Sequence, residues 1–149
     1  MPTPTAWKLA DEVEIGPRTE QELAELFALA RGAFEALPGW NEGRVFDVLS
    51  GDLVFVAREH GQAAGYVALH ADADGAICID QLFVATGHEQ RGIGRGLLAY
   101  AEGYAIAERA PSLRVVVEES NRPARDLYRR SGFAPVAPEL LELVLPAEP

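Results

Sequence analysis

The chain has 149 residues, 48% of them apolar, which suits one domain with a core of its own. Its net charge of −10 disfavours non-specific nucleic-acid binding, its single cysteine (Cys78) excludes an internal disulfide, and three scattered histidines (His60, His70, His88) disfavour a catalytic metal, so none is expected. No apolar run reaches the ~18 residues of a membrane span, and residues 1–10 read as a short flexible tail without a signal core, so a cytoplasmic protein that avoids membranes is expected.

Taken in chain order, Val13 and Ile15 alternate with Glu14 in a short strand. Thr19 and Glu22 form a capping-box pair that opens a helix. Leu23, Leu26, Phe27, Ala30, Phe34 and Leu37 follow at helical spacing until Pro38-Gly39 breaks it. Asn41 caps a second short helix holding Val45, Phe46 and Leu49, and Gly51 ends it.

The period then changes. Leu53–Ala57, Tyr66–Leu69 and Ile77–Val84 read as strands, joined by the turns His60-Gly61 and Asp74-Gly75, and together they predict an antiparallel meander. A glycine-rich turn, Arg91–Gly96, opens a helix with Ile93, Leu97, Ala101 and Tyr104 on one face. Leu113–Val117 is an apolar strand, and Asn121 caps a helix carrying Ala124, Leu127 and Tyr128, which Gly132 stops. Leu140–Leu145 is a last strand, and an exposed strand there would allow pairing in a homodimer. The order predicts one mixed α/β (α+β) domain over residues 1–149, with a mostly antiparallel central sheet and one strand–helix–strand crossover.

Charge is uneven along this order. Residues 91–130 carry eight arginines against five acids, whereas residues 1–90 carry fifteen acids and five bases. A cationic stretch in an acidic chain suits a small polyanionic ligand, and an acidic surround attracts cations. Two solvated faces would leave the same pattern.

The turn Arg91-Gly92-Ile93-Gly94-Arg95-Gly96 joins a strand to a helix N-terminus, where unpaired amides and the positive end of the helix dipole meet. Glycines let a phosphate approach that backbone, so a pyrophosphate cradle is predicted, with Arg91 and Arg95 adding charge. A tight turn for close packing is the plainer alternative. A P-loop is excluded because the chain has no Gly-Lys pair. The spacing also departs from Gly-x-Gly-x-x-Gly, which weakens a dinucleotide site.

Together with the preceding Leu82-Phe83-Val84 and the later Asn121, Leu127-Tyr128 and Gly132-Phe133, this turn resembles the GCN5-related N-acetyltransferase (GNAT) family. The resemblance covers about residues 53–134 and satisfies the family's Gln/Arg-x-x-Gly-x-Gly/Ala signature; residues 1–50 fit only in pattern. It implies acetyl-CoA as co-substrate. The amides of Arg91, Gly92, Ile93, Gly94, Arg95 and Gly96 would hold its pyrophosphate. The bulged strand at Leu82, Phe83 and Val84 would hydrogen-bond its pantetheine arm, and Asn121 would bond the same arm or cap its helix. Arg125, Arg129 or Arg130 would meet the 3′-phosphate.

The implied reaction moves an acetyl group to a primary amine by direct attack in a ternary complex. The amine must first lose a proton, and the thiolate leaving group needs a donor. Tyr128 matches the family's acid. Asp80 is the leading base, with Glu118, Glu119 or a water as rivals. Cys78 reads as an inert strand cysteine. Phe34, Trp40, Asn41 and Glu42 fall where the family shapes its acceptor site. A peptide N-terminus, a lysine, a polyamine and an aminoglycoside-like compound all remain open as acceptors. The alternatives are a non-catalytic acyl-CoA sensor on the same fold and a dinucleotide-binding protein.

Overall fold

The computed structural model describes residues 9–34, 41–88 and 91–146. Trp40, Leu37 and the Pro38-Gly39 break lie outside them. Seven strands form one sheet in the order β1-β2-β3-β4-β5-β7-β6. They are β1 (Val13–Pro17), β2 (Leu53–Glu59), β3 (Gln62–Ala71), β4 (Ile77–Val84), β5 (Ser112–Val116), β6 (Ala134–Pro135) and β7 (Leu140–Val144). The helices are α1 (Glu22–Ala30), α2 (Glu42–Gly51), α3 (Ile93–Ala107) and α4 (Arg122–Arg130). All strand pairs are antiparallel except β4 and β5, which α3 connects. This is the expected meander with one crossover.

Local chemistry accounts for most boundaries. His60 and Gly61 both adopt positive φ (52° and 79°), the geometry a two-residue hairpin turn needs between β2 and β3. The Asn41 side chain accepts from the Arg44 amide at 2.8 Å and starts α2. The Asn121 side chain accepts from the Ala124 amide at 3.3 Å and starts α4, while Gly132 turns the chain out of it at φ 100°. Glu22 Oε1 accepts from the Thr19 amide at 2.9 Å, so the capping-box contact forms, although regular helix begins only at Glu22.

The structure departs from two expectations and adds one strand. The first helix does not run on through Phe34: α1 ends at Ala30, and Arg31–Phe34 form a turn around Gly32, a residue costly inside a helix. The strand Leu140–Val144 is not an edge. It lies between β5 and β6, so both of its sides are paired within the chain. The outer strand, β6, went unforeseen because two residues ending in a proline carry no period.

The sheet separates two cores. On one face, α3 and α4 pack Ile93, Leu97, Leu98, Ala101, Ala105 and Tyr128 against Val67, Leu69, Ile77, Ile79, Leu113, Val115 and Leu141. On the other, α1 and α2 bury Leu26, Ala30, Val45 and Leu49 over Val54, Val56, Tyr66, Ala68 and Phe83. Each fully buried Val, Leu or Ile among them contributes roughly 1.5–3 kcal/mol. Leu9 packs against the α3-side core, and the Ala10 amide donates to the Arg91 carbonyl at 3.1 Å. Among the described residues, no helix is long and apolar enough to cross a membrane.

Candidate active site

β4 and β5 run parallel for only three paired positions, from Ile77–Leu113 to Ile79–Val115. Beyond Ile79 the two strands part, which leaves the β5-facing edge of Gln81–Val84 without its ladder partner. The gap opens into a cleft of about 680 Å³. Its walls include Asp80, Gln81 and Leu82 from β4, Val115–Val117 and Glu118 from β5 and its end, and Asn121, Ala124 and Tyr128 from α4. Phe34, Asn41 and Arg44 line it from the α1–α2 side.

A bulge sets what β4 shows to this cleft. Ala68 pairs with Gln81 and Leu69 with Ile79, so Asp80 is the extra residue. The bulge therefore sits at Asp80 itself, two residues before Leu82. The phase of the strand changes there: Ile77 and Ile79 face the α3 core, and so do Leu82 and Val84, while Phe83 turns to the α1–α2 core. Gln81 is fixed by the Tyr66 hydroxyl, which donates to its Oε1 at 2.6 Å.

Asp80 has the partner that an acid inside a strand requires. Its Oδ2 lies 2.7 Å from His70 Nδ1, and His70 Nε2 lies 3.1 Å from Asp72 Oδ1. The His70 pKa is raised, first by the hydrogen bond to Asp80. His70, one of the three scattered histidines, is a half-exposed bridge between two carboxylates. A third acid joins them, Asp52 at the C-terminal end of α2: its carboxylate, that of Asp80 and the His70 ring each offer an atom within 4.8 Å of the others. Burial, and then Asp80, push the Asp52 carboxyl up to about 7. Sequence reading missed Asp52, which has no motif of its own. The pairing of Leu53 with Leu69 brings it beside His70.

Cys78 donates to Asp72 Oδ2 at 2.9 Å. Burial, followed by that carboxylate, pushes its thiol up to about 12, which suits an inert cysteine. Tyr128 is 4% exposed, with its ring edge-on to Phe133 at 5.3 Å. Burial raises its pKa, so the phenol stays protonated throughout the neutral range. Glu118 lines the cleft, half-buried. Glu119 is exposed, and its amide donates to Glu139 Oε2 at 3.4 Å.

The glycine turn follows β4. Gly92 takes φ 76° just before α3, a conformation a side chain resists. A Cβ on Gly94 would stand 3.4 Å from Leu127 and 4.0 Å from Val84, so this residue sits between the end of β4 and α4. A Cβ on Gly96 would come within 3.0 Å of Leu9 and 3.2 Å of Ile15, so here glycine permits close packing. The packing reading thus holds at Gly96. The Arg91 guanidinium is engaged elsewhere: its Nε donates to Glu59 Oε2 at 2.8 Å, and its Nη2 reaches Glu59 and Glu12.

A family model described as "Acetyltransferase (GNAT) family" matches residues 20–133. The chain belongs to the GNAT family. It is 39% identical over 75 residues to streptothricin acetyltransferase of Streptomyces lavendulae, covering 50% of this chain and 40% of that one. It is 29% identical over 86 residues to the uncharacterised N-acetyltransferase YhfO of Bacillus subtilis strain 168, covering 54% and 58%. The chain thus spans about half the length of the curated relatives it matches. A GNAT acetyltransferase from Elizabethkingia anophelis with acetyl-CoA bound has the same fold, with a TM-score of 0.76 at 20% identity over 91% of this chain and 99% of that one.

The GNAT donor fits the groups present. The unpaired β4 edge, the left-handed Gly92 ahead of a helix N-terminus, and a cleft running from Leu82 to Asn121 offer the backbone donors, acceptors and space that an extended amide-and-pyrophosphate chain requires. Arg125 is committed to the scaffold, donating to the Val117 and Pro138 carbonyls at 3.1 Å each. Arg129 and Arg130 are exposed in the last turn of α4.

Proposed function

We propose that this GNAT domain is an acetyl-CoA-dependent N-acetyltransferase that acetylates a primary amine by direct attack in a ternary complex. The observation that carries this reading is one cleft with an acid-bearing bulge, Asp80, on its β4 side and a buried protonated phenol, Tyr128, on its α4 side. Direct transfer of an acetyl group from a thioester needs those two functions: a base for the amine and a proton donor for the thiolate. The donor would lie with its pantetheine along the open edge at Leu82, Phe83 and Val84, and its pyrophosphate on the amides of Arg91–Gly96. Asn121 would bond the arm while capping α4. Backbone amides of β4 aimed into the cleft would polarise the thioester carbonyl.

The acceptor would enter from the α1–α2 side, past Phe34, Asn41 and Arg44. The acids at that end, Asp72 and Asp80, suit a cationic amine. The likeness to streptothricin acetyltransferase puts streptothricin among the acceptors to try, beside a polyamine, a lysine peptide and an aminoglycoside.

The first test is a thermal melt with acetyl-CoA, using NAD as a control. A ligand at 100 times its Kd stabilises by about 2.7 kcal/mol, roughly 5–10 °C for a domain of this size. Stabilisation by acetyl-CoA alone, followed by amine-dependent thiol release, supports the enzyme. Stabilisation without release from any amine tried supports a sensor instead. Stabilisation by NAD alone rejects both.

A further inference from the structure

The proposed base has a neighbour that the reaction scheme has not used. Asp52 Oδ2 is buried and accepts no hydrogen bond. A carboxylate oxygen left so would forfeit a large share of its solvation. Among the described residues, the titratable groups its carboxyl meets include Asp80, another carboxylate, and His70, whose two ring nitrogens already face Asp80 and Asp72. Two carboxylates can hydrogen-bond only if one of them carries a proton. We propose that Asp52 is a positioning residue of the base: it shares one proton with Asp80, so that the two carboxyls, with His70 beside them, accept the acceptor's ammonium proton as a unit.

Three strands build the arrangement. Asp52 directly precedes Leu53, and His70 directly follows Leu69, which is paired with it. The bulge then adds Asp80 from β4 between Ile79 and Gln81. The charged groups around the pair are His70, with Asp72 behind it, on β3 and its following turn; Arg114 on β5, which pairs with Asp74 at 2.9 Å and lies 3.9 Å from Asp72; Arg44 on α2; and Glu118 beyond β5. The raised Asp52 pKa agrees with a shared proton.

An ordinary aspartate, with a pKa near 4, is a weak base toward an ammonium group. Two like charges forced together are a stronger one, because the first proton to bind relieves their repulsion. The protons balance as follows. The pair acts once the proton it shares has left to solvent through His70: an N–H bond of the ammonium breaks, and its proton takes the vacated place between Asp52 and Asp80. The freed lone pair forms the C–N bond, the C–S bond breaks, and its electron pair leaves on sulfur. The Tyr128 hydroxyl protonates that sulfur and recovers the second nitrogen proton. The first proton leaves through His70, which is 43% exposed, to solvent.

The proposal rests on the reading of Asp80 as base, and its test separates the two. Carboxyl-13C aspartate spectra of the whole chain are recorded from about pH 4 to about pH 9, across and beyond the ordinary aspartate range. Two linked transitions are expected, the upper one near neutrality and assigned to Asp52 and Asp80 together. Asp80→Asn should remove the coupling and bring Asp52 down. Titration of both acids in the ordinary range overturns the proposal. An upper transition that persists unshifted in Asp80→Asn also overturns it, because burial alone would then be the cause.

With the amine found active by thiol release, Asp52→Asn should move the acidic limb of kcat/KM down by roughly 2 pH units or more. A limb that stays in place assigns the titration to His70 and overturns the proposal. If no amine is acetylated, acetyl transfer fails as a reading, while the spectra still decide whether the two carboxyls share a proton.

Discussion

Glu22 and Arg58 are 36 residues apart in the chain, yet they meet through two hydrogen bonds of 2.6 Å, Arg58 Nε to Oε2 and Nη2 to Oε1. The same Glu22 carboxylate accepts from the Thr19 amide, so one side chain both starts α1 and ties it to β2. Arg58 holds the Glu22 carboxyl down at about 2. Glu22→Gln should therefore destabilise the fold by roughly 1–3 kcal/mol at neutral pH. The wild-type advantage is full above the ordinary carboxylate pKa and is lost as pH falls toward 2. Urea unfolding of both proteins at neutral and acid pH checks this: the two curves should converge in acid.

Gly65 lies opposite Val84 at the end of β4 that forms the open edge, and a Cβ there would stand 2.5 Å from the Phe83 carbonyl oxygen. Backbone cannot swing aside as a side chain does. Gly65→Ala should lose roughly 1–3 kcal/mol of stability and should weaken acetyl-CoA binding as well, because the displaced strand is the proposed pantetheine wall. Denaturant unfolding and the acetyl-CoA melt measure the two effects. Full retention of both would mean that the edge is more compliant than its contacts indicate.

Gly92 takes its positive φ just before the first turn of α3. Gly92→Ala should cost roughly 1–2 kcal/mol through the left-handed backbone alone. If the amides of this turn hold the pyrophosphate, the acetyl-CoA stabilisation should shrink by more than the loss in intrinsic stability. Isothermal titration with acetyl-CoA, and with dephosphorylated pantetheine as a donor fragment, reads the difference. An equal loss for both ligands would detach the turn from phosphate binding.

Tyr128→Phe removes one oxygen from a buried ring that already packs on Phe133. Stability and acetyl-CoA affinity should change little, while kcat should fall roughly 10²–10⁴-fold, the usual contribution of a positioned acid. Because burial raises the phenol pKa, the wild-type profile should show no fall from Tyr128 ionisation within the mildly alkaline range. Steady-state thiol release across pH checks both statements.

Much of this architecture is legible in the residues. The resemblance implies a bulged strand at Leu82–Val84, whereas the register puts the bulge at Asp80, where Ile77 and Ile79 are followed by Leu82 and Val84, three positions on instead of two. The caps at Asn41 and Asn121 and the exit at Gly132 follow from side-chain chemistry within a few residues. What escaped reading depends on register between distant strands. Nothing local marks Asp52 or His70 as neighbours of Asp80, and only the pairing of β2 with β3 and of β3 with β4 assembles them. The commitment of Arg91 to Glu59, 32 residues earlier, is hidden for the same reason. The early end of α1 is a contest of propensities, where Gly32 outweighed the apolar residues beyond it.

β7 follows every other strand in chain order yet lies inside the sheet, between β5 and β6. The meander β2–β4 closes through short hairpins and can form while the chain is still being synthesised. β5, one wall of the cleft, lacks its antiparallel partner until Leu140–Val144 has emerged from the ribosome. The β5 wall of the cleft, from which the chain runs on to Asn121 and Tyr128, is thus the last part of the sheet to be completed. A nascent chain stopped before Leu140 would expose a raw strand edge beside Val115 and Val116, the sort of template that invites aggregation.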